Sequence, residues 1–169
     1  MIKNVTPQEI NQCILFYNDF SVNTIAEDII TRVDQVTGVL VNYRETTISY
    51  NGTSISSLDC DDIIYLEYDN KFYKRQFEGP VNVMWFGAIG NGLNDDTNAF
   101  INAINYCKKT AGELYIPEGV FHINQSLYFD DVIPVNNTGK FGIKIIGAGL
   151  RTIIKFFGTS QILFDLFST

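Results

Sequence analysis

The densest cluster of reactive side chains is residues 86–100, FGAIGNGLNDDTNAF. Gly87, Gly90 and Gly92 fall within six residues and are followed by Asp95, Asp96 and Thr97. Four chemistries could use such a run: a phosphate cradle, a metal site, a carboxylate acid/base pair, or the start of a helix. The glycines do not fall into GxGxxG, and no Gly-Lys-Ser/Thr follows them. GAGLRT, at 147–152, has two glycines of a dinucleotide fingerprint but leads into the strand-like TIIKFF, where the fingerprint needs a helix. Asn91, Asn94, Asp95 and Asp96 offer oxygen ligands, yet there is no twelve-residue calcium loop closed by a glutamate. Adjacent aspartates point in different directions, which suits an acid/base pair poorly. Helix initiation fits best. Asp96 or Thr97 would accept the free N–H groups of a helix, the second carboxylate would face its positive end, and the glycines would allow the tight turns before it. Gly87, Gly90, Gly92, Asp95, Asp96 and Thr97 are therefore read as a helix-capping motif, with no metal site and no cofactor.

Other candidates are weaker. Asp130-Asp131 could supply one carboxylate of a glycosidase pair, but that chemistry needs two groups across a sugar. His122 falls on a surface-facing strand position, and Arg151 lies beside the GAG turn. Tyr115, Phe121, Tyr128 and Phe129 could stack on sugar rings, although packing explains them equally by type. Phe156, Phe157, Ile162, Leu163, Phe164 and Phe167 read as packing residues in the same way. No residue is assigned a catalytic role.

The elements that must position these groups come next. Phe100, Ala103, Ile104 and Cys107 recur at i, i+3, i+4 and i+7, which predicts a helix over about 97–109 with Lys108 and Lys109 at its cation-favouring end. After Gly112 come short β-rich pieces without a second helix between them, which excludes a βαβ sheet and suggests stacked short strands. Ahead of the glycines, two alternating runs flank Asp69-Asn70, and another pair flanks Asn51-Gly52, so 38–80 is expected to form a small antiparallel β unit. At the N-terminus, TPQE and TIAE each read as a capping box. They predict two short helices within 1–37, with stripes at Ile10, Cys13, Ile14 and Tyr17 and at Ile29, Ile30 and Val33. Those stripes need a neighbour and are expected to meet a partner. The final stretch, 81–169, holds the helix and the short strands. QILFDLFST, with which the chain ends, has no polar closing segment, and the expectation is that more chain or a partner covers it.

Composition sets the outer bounds. The 169 residues are 46 % hydrophobic and 18 % charged, which is globular composition, and the net charge of −7 disfavours nucleic acid as a partner. Cys13, Cys60 and Cys107 are widely spaced without a CxxC pair, which fits neither a disulfide framework nor a zinc site. MIKNVTPQEI lacks the apolar core of a signal peptide and no run reaches membrane-spanning length, so synthesis in a cytosol and no membrane partner are expected.

Three segments in order, VNVMWFGAIGNGLNDDTNAFINAI, GELYIPEGVFHIN and IKIIGAGLRTIIKF, resemble the N-terminal part of the pectate-lyase-like right-handed parallel β-helix superfamily. The resemblance covers about residues 81–157. It departs from the usual pattern at Asn91, at Phe100 and in the placement of Phe121. It implies a fold that is mainly β, with a small β unit followed by the helix-capped start of a right-handed parallel β-helix. Within the superfamily, the missing signal peptide and the short leading module point to the phage tailspike and depolymerase type. The resemblance further implies a virion-proximal part of a tailspike or fibre, made in the host cytoplasm and carried on the phage tail. Its implied partners are two more copies of itself in a homotrimer, other tail or baseplate proteins, and host surface polysaccharide met by a downstream shaft. The alternative it leaves open is the leading part of a polysaccharide lyase, hydrolase or epimerase whose catalytic groups lie beyond residue 169.

Overall fold

Four of the five residues in Ile29–Val33 are β-branched, and they form a strand rather than the helix expected from the TIAE capping box. The computed structural model describes residues 23–26, 28–34, 36–110, 112–129, 143–159 and 163–165. In it, β1 (Asn23–Ala26) pairs antiparallel with β2 (Ile29–Val33), and β2 with β3 (Leu40–Glu45). The correction has a plain cause. A capping box is a four-residue local preference, whereas branched side chains lose χ1 freedom in a helix and pack well on a pleated surface. Ile30 is buried in the sheet's core while Val33 is 52 % exposed at the strand end, so Ile29, Ile30 and Val33 do not share one helical face. The Ile10, Cys13, Ile14 and Tyr17 stripe lies outside the described residues.

β4 (Tyr65–Tyr68) and β5 (Lys71–Arg75) complete an antiparallel sheet in the order β1-β2-β3-β5-β4. Asp69 and Asn70 join them with φ of 50° and 59°, the pair of left-handed residues that matches the twist of a two-residue hairpin. Ile30, Tyr43, Leu66 and Tyr73 pack together as the core of this sheet, with Val41 against them. Beside it, Arg75 Nη2 donates to Asp34 Oδ2 at 2.9 Å, and both side chains are 5 % exposed. The sheet belongs to the first of two compact units, Met1–Thr46 with Ser57–Gln76.

The second unit comprises Thr47–Ser56 and Phe77–Thr169. Around Asn51-Gly52 the chain makes a turn closed by a single Ile48↔Ser54 bridge instead of a full hairpin. Farther on come β6 (Val81–Asn82), β7 (Asn91–Asp95), α1 (Thr97–Thr110), β8 (Glu113–Ile116), β9 (Gly119–Ile123), β10 (Leu127–Tyr128), β11 (Lys144–Gly147), β12 (Thr152–Phe156) and β13 (Phe164–Asp165). All ladders here are parallel: β6-β8-β11, β7-β9-β12 and β10-β13. Successive passes of the chain thus lie on one another in register, with Val81 opposite Leu114 and Leu114 opposite Ile145. Inward rows are apolar: Phe121 and Ile123 are fully buried and align with Ile154 and Phe156 on the next pass. α1 is the one α-helix among the described residues. It turns Ala99, Phe100, Ala103, Ile104 and Cys107 inward, and Phe100 meets Phe121 edge-on at 5.5 Å. Burial pushes the Cys107 thiol up to about 12.

Candidate functional site

The glycine-aspartate run lies on the strand-to-helix passage from β7 into α1. Gly87 (φ 100°) ends a 3-10 turn over Val83–Phe86, and its N–H donates to the Met84 carbonyl at 3.1 Å. Gly90 (φ 64°) lies against the face of the core. A Cβ there would stand 2.7 Å from two ring atoms of Phe121, so both the backbone angle and the space exclude a side chain. Gly92 also has positive φ (77°). Asn91 Oδ1 accepts from the N–H groups of Leu93 (2.9 Å) and Asn94 (3.0 Å), while its amide donates to Asn94 Oδ1 at 2.9 Å. An aspartate at 91 could not make the last of these bonds.

The two carboxylates do different work. Asp95 Oδ1 accepts from the Thr97 N–H at 2.9 Å and from the Thr97 hydroxyl. Those two Thr97 bonds, hydroxyl first, and the Asn124 side chain hold the Asp95 carboxyl below the usual aspartate value. Asp96 is 1 % exposed and reaches away from the helix. Its Oδ1 accepts from Ile89 N at 2.7 Å and Gly90 N at 3.4 Å, and its Oδ2 accepts from His122 N at 3.3 Å. Its backbone carbonyl accepts from Phe100 N, the first turn of α1, and its own N–H donates to the His122 carbonyl. Thr97, also 1 % exposed, accepts at Oγ1 from Asn124 N at 2.8 Å. Only Asp95 therefore turns its carboxylate on a helix N–H. Asp96 and Thr97 tie the start of α1 to the 89–90 turn and to β9, some 26 residues away. Both carboxylates are engaged by the protein's own donors, so the arrangement can orient a helix and lock successive passes of the chain. It offers no free acid/base pair, and no group of three His, Cys, Asp or Glu side chains suited to a metal occurs among the described residues.

The remaining candidates separate. His122 points outward from β9, between Asp95 and Lys155 in register on the neighbouring strands, and its ring lies 4.7 Å from that of Phe157. Its Nε2 is buried without a hydrogen-bond partner among the described residues. Arg151 Nη1 meets Glu118 at 2.7 Å in solvent, with side chains 78 % and 60 % exposed. The GAG turn is held instead by Thr152, whose hydroxyl accepts from Ala148 N (2.8 Å) and faces the carbonyls of Ile116 and Pro117. Phe121 and Phe129 are core residues, the latter packed on Phe164 at 5.7 Å. Tyr128 is left exposed. Asp130, Asp131, Ile162 and Phe167 lie outside the described residues. Sequence reasoning missed the long-range bonds of Asp96 and Thr97, because nothing local in DDT shows which distant N–H groups they meet.

Comparison with known proteins places this geometry. Residues 80–165, about half of the chain, match the family model described as rhamnogalacturonase A/epimerase, pectate lyase-like. A curated relative from Klebsiella pneumoniae, an uncharacterized 65.4 kDa protein in the cps region, is 38 % identical over 73 residues. That alignment takes in 39 % of this chain and 13 % of the relative. Among solved structures, the enzymatically active domain of bacteriophage CBA120 tailspike protein 2 superposes with a TM-score of 0.51 at 14 % identity. The superposition covers 89 % of this chain and 20 % of that one. The tailspike protein of Acinetobacter baumannii phage AM24 gives 0.50 at 15 % identity, over 82 % of this chain and 22 % of its own. The chain thus spans a small part of each of these proteins, and the two tailspikes share its fold. With its capped helix and parallel ladders inside the matched residues, the chain belongs to the rhamnogalacturonase A/epimerase, pectate lyase-like family.

Proposed function

We propose that this chain is the leading, virion-proximal part of a phage tailspike or tail fibre directed at host surface polysaccharide. In this reading the three parallel ladders are the first turns of a right-handed parallel β-helix, and α1 covers the end of its core. The observation that carries it is the bonding of Asp96 and Thr97: they lock a helix across apolar rows that continue in register from one pass to the next. Such a cap starts a shaft and does no chemistry of its own. The sheet unit and the residues before it would fasten the spike to other tail or baseplate proteins, and three copies would assemble into a trimer. The protein would be made in the host cytoplasm and carried on the virion.

Deleting residues 1–37 would also remove β1 and β2 from the first sheet, so the sharper test deletes residues 1–22, which spares every described strand. Phages carrying that deletion should lose the spike from purified particles and adsorb poorly to their host, with the remaining protein still folded. Particles that retain the spike would overturn the anchoring role. Sedimentation of the untruncated protein tests the trimer, and adsorption to cells stripped of surface polysaccharide tests the target.

A second reading rests on the family description itself. The chain would lead a polysaccharide lyase, hydrolase or epimerase, with catalytic groups on later turns. Release of reducing ends or unsaturated uronates by the complete protein, with none from these 169 residues alone, would favour it.

A further inference from the structure

A groove of about 150 Å³ runs between α1 and β10, within the second unit. Ile104 and Leu127 form its apolar floor, the ring of Tyr128 is a wall, and Asn105, Gln125 and Lys108 stand around it. Of the four aromatic residues whose type suits a sugar ring, Phe121 and Phe129 are buried and Tyr115 is half-buried. Tyr128, at 52 % exposure, is the one that the fold presents to solvent beside a concave surface.

The lining is also one-sided in charge. It holds two amides and one ammonium and no carboxylate, in a chain whose net charge is −7. Lys109, the neighbouring cation, stands over the Tyr50 ring at 5.3 Å, which leaves Lys108 as the cation of the groove. Lys108 lies in the last turn of α1, where the helix end carries partial negative charge, and the two lysines offset that charge for an incoming anion.

We infer that this groove binds one acidic sugar residue, a hexuronate or a pyranose of similar charge. Its C–H face lies on Tyr128, its carboxylate meets Lys108, and its hydroxyls meet the Asn105 and Gln125 amides, which both donate and accept. The inference rests on the polysaccharide reading above and deepens it, because it gives the capping end of the molecule a glycan contact of its own.

Calorimetric titration of the full chain with trigalacturonate, and with maltotriose as the neutral comparison, tests this. Trigalacturonate should bind saturably, and roughly fivefold or more tighter than maltotriose at low salt, with the difference shrinking as salt is added. Tyr128→Ala and Lys108→Ala should each weaken binding about tenfold, while Tyr128→Phe retains it. Gln125→Ala, at an exposed position, provides a further variant should Lys108→Ala disturb the helix, and melting curves check that each variant folds. Binding that ignores Tyr128, Lys108 and Gln125 alike overturns the groove and leaves the polysaccharide reading standing. Equal affinity for maltotriose overturns the acidic class. No binding of either sugar overturns the inference, and the adsorption experiment then decides the wider reading.

Discussion

Asp96 shows how much a single side chain can hold. Three backbone N–H groups, from Ile89, Gly90 and His122, converge on a carboxylate that is almost wholly buried. Removing it leaves those donors unpaired in a place water reaches poorly, and each such loss costs about 1–3 kcal/mol. Asp96→Ala should therefore lower the stability of the second unit by roughly 3 kcal/mol or more, measured by urea denaturation followed at Trp85. Asp96→Asn keeps one acceptor oxygen and should cost less. Gly90→Ala tests the neighbouring constraint. The added methyl must push into the Phe121 ring from a left-handed backbone, so a loss of about 2–3 kcal/mol is expected in the same assay. A neutral Gly90→Ala would show that the 89–90 turn can move away from the core.

At the scale of elements, α1 is the piece whose burial matters most. Phe100 is 1 % exposed and meets Phe121, so Phe100→Ala should open a cavity and cost about 3–5 kcal/mol by thermal or urea unfolding. Cys107 lies on the same buried face. With its thiol pushed up to about 12, it should resist iodoacetamide at pH 8 in the native protein and react once the protein is denatured, as read by peptide mass spectrometry. Native labelling at Cys107 would mean that α1 separates readily from the strands beneath it. The strands of the second unit are short, and their stability comes from apolar rows aligned across passes, in which each pass covers the one before.

At the scale of the molecule, two units with separate cores should answer acid differently. In the first, burial pushes the Asp34 carboxyl up, but the Thr37 N–H and the Arg75 guanidinium outweigh it and hold the pKa below the ordinary 3.8. A carboxylate with a lowered pKa binds fewer protons folded than unfolded. Its stabilisation is complete above the ordinary value and is lost as pH falls through the lower folded one. The first unit should thus keep its full urea stability at pH 5 and weaken as the pH drops below the ordinary aspartate value. Asp34→Ala would leave the Arg75 guanidinium buried beside an empty place, at a cost of about 3–5 kcal/mol at pH 7. That variant should also flatten the acid dependence below pH 5. An unchanged acid profile in Asp34→Ala would show that other carboxylates control it.

Some of this molecule was legible in one dimension. The α1 stripe was legible because helical period is a local property: Phe100, Ala103, Ile104 and Cys107 fall on one face wherever the helix lies. The Asp69-Asn70 turn was legible for the same reason, since both residues tolerate positive φ and alternating strands flank them. The order of glycine, aspartate and strand segments between 81 and 157 was enough to suggest the family. The helix expected at Thr24–Val33 failed because a capping box is a weak local preference, and pairing with β3 buries Ile30 in a sheet core. Only the tertiary structure decided what the two aspartates do. Asp95 meets a donor two residues away, as its neighbours imply, but Asp96 and Thr97 meet β9 across 26 and 27 positions of sequence. It also decided which aromatic ring faces solvent. Tyr128 and Phe129 adjoin and match in type, yet the first is half exposed and the second packs on Phe164. Pairings at that distance depend on which passes of the chain lie together, and packing of the whole unit sets them, whereas turn and helix preferences act over a few residues.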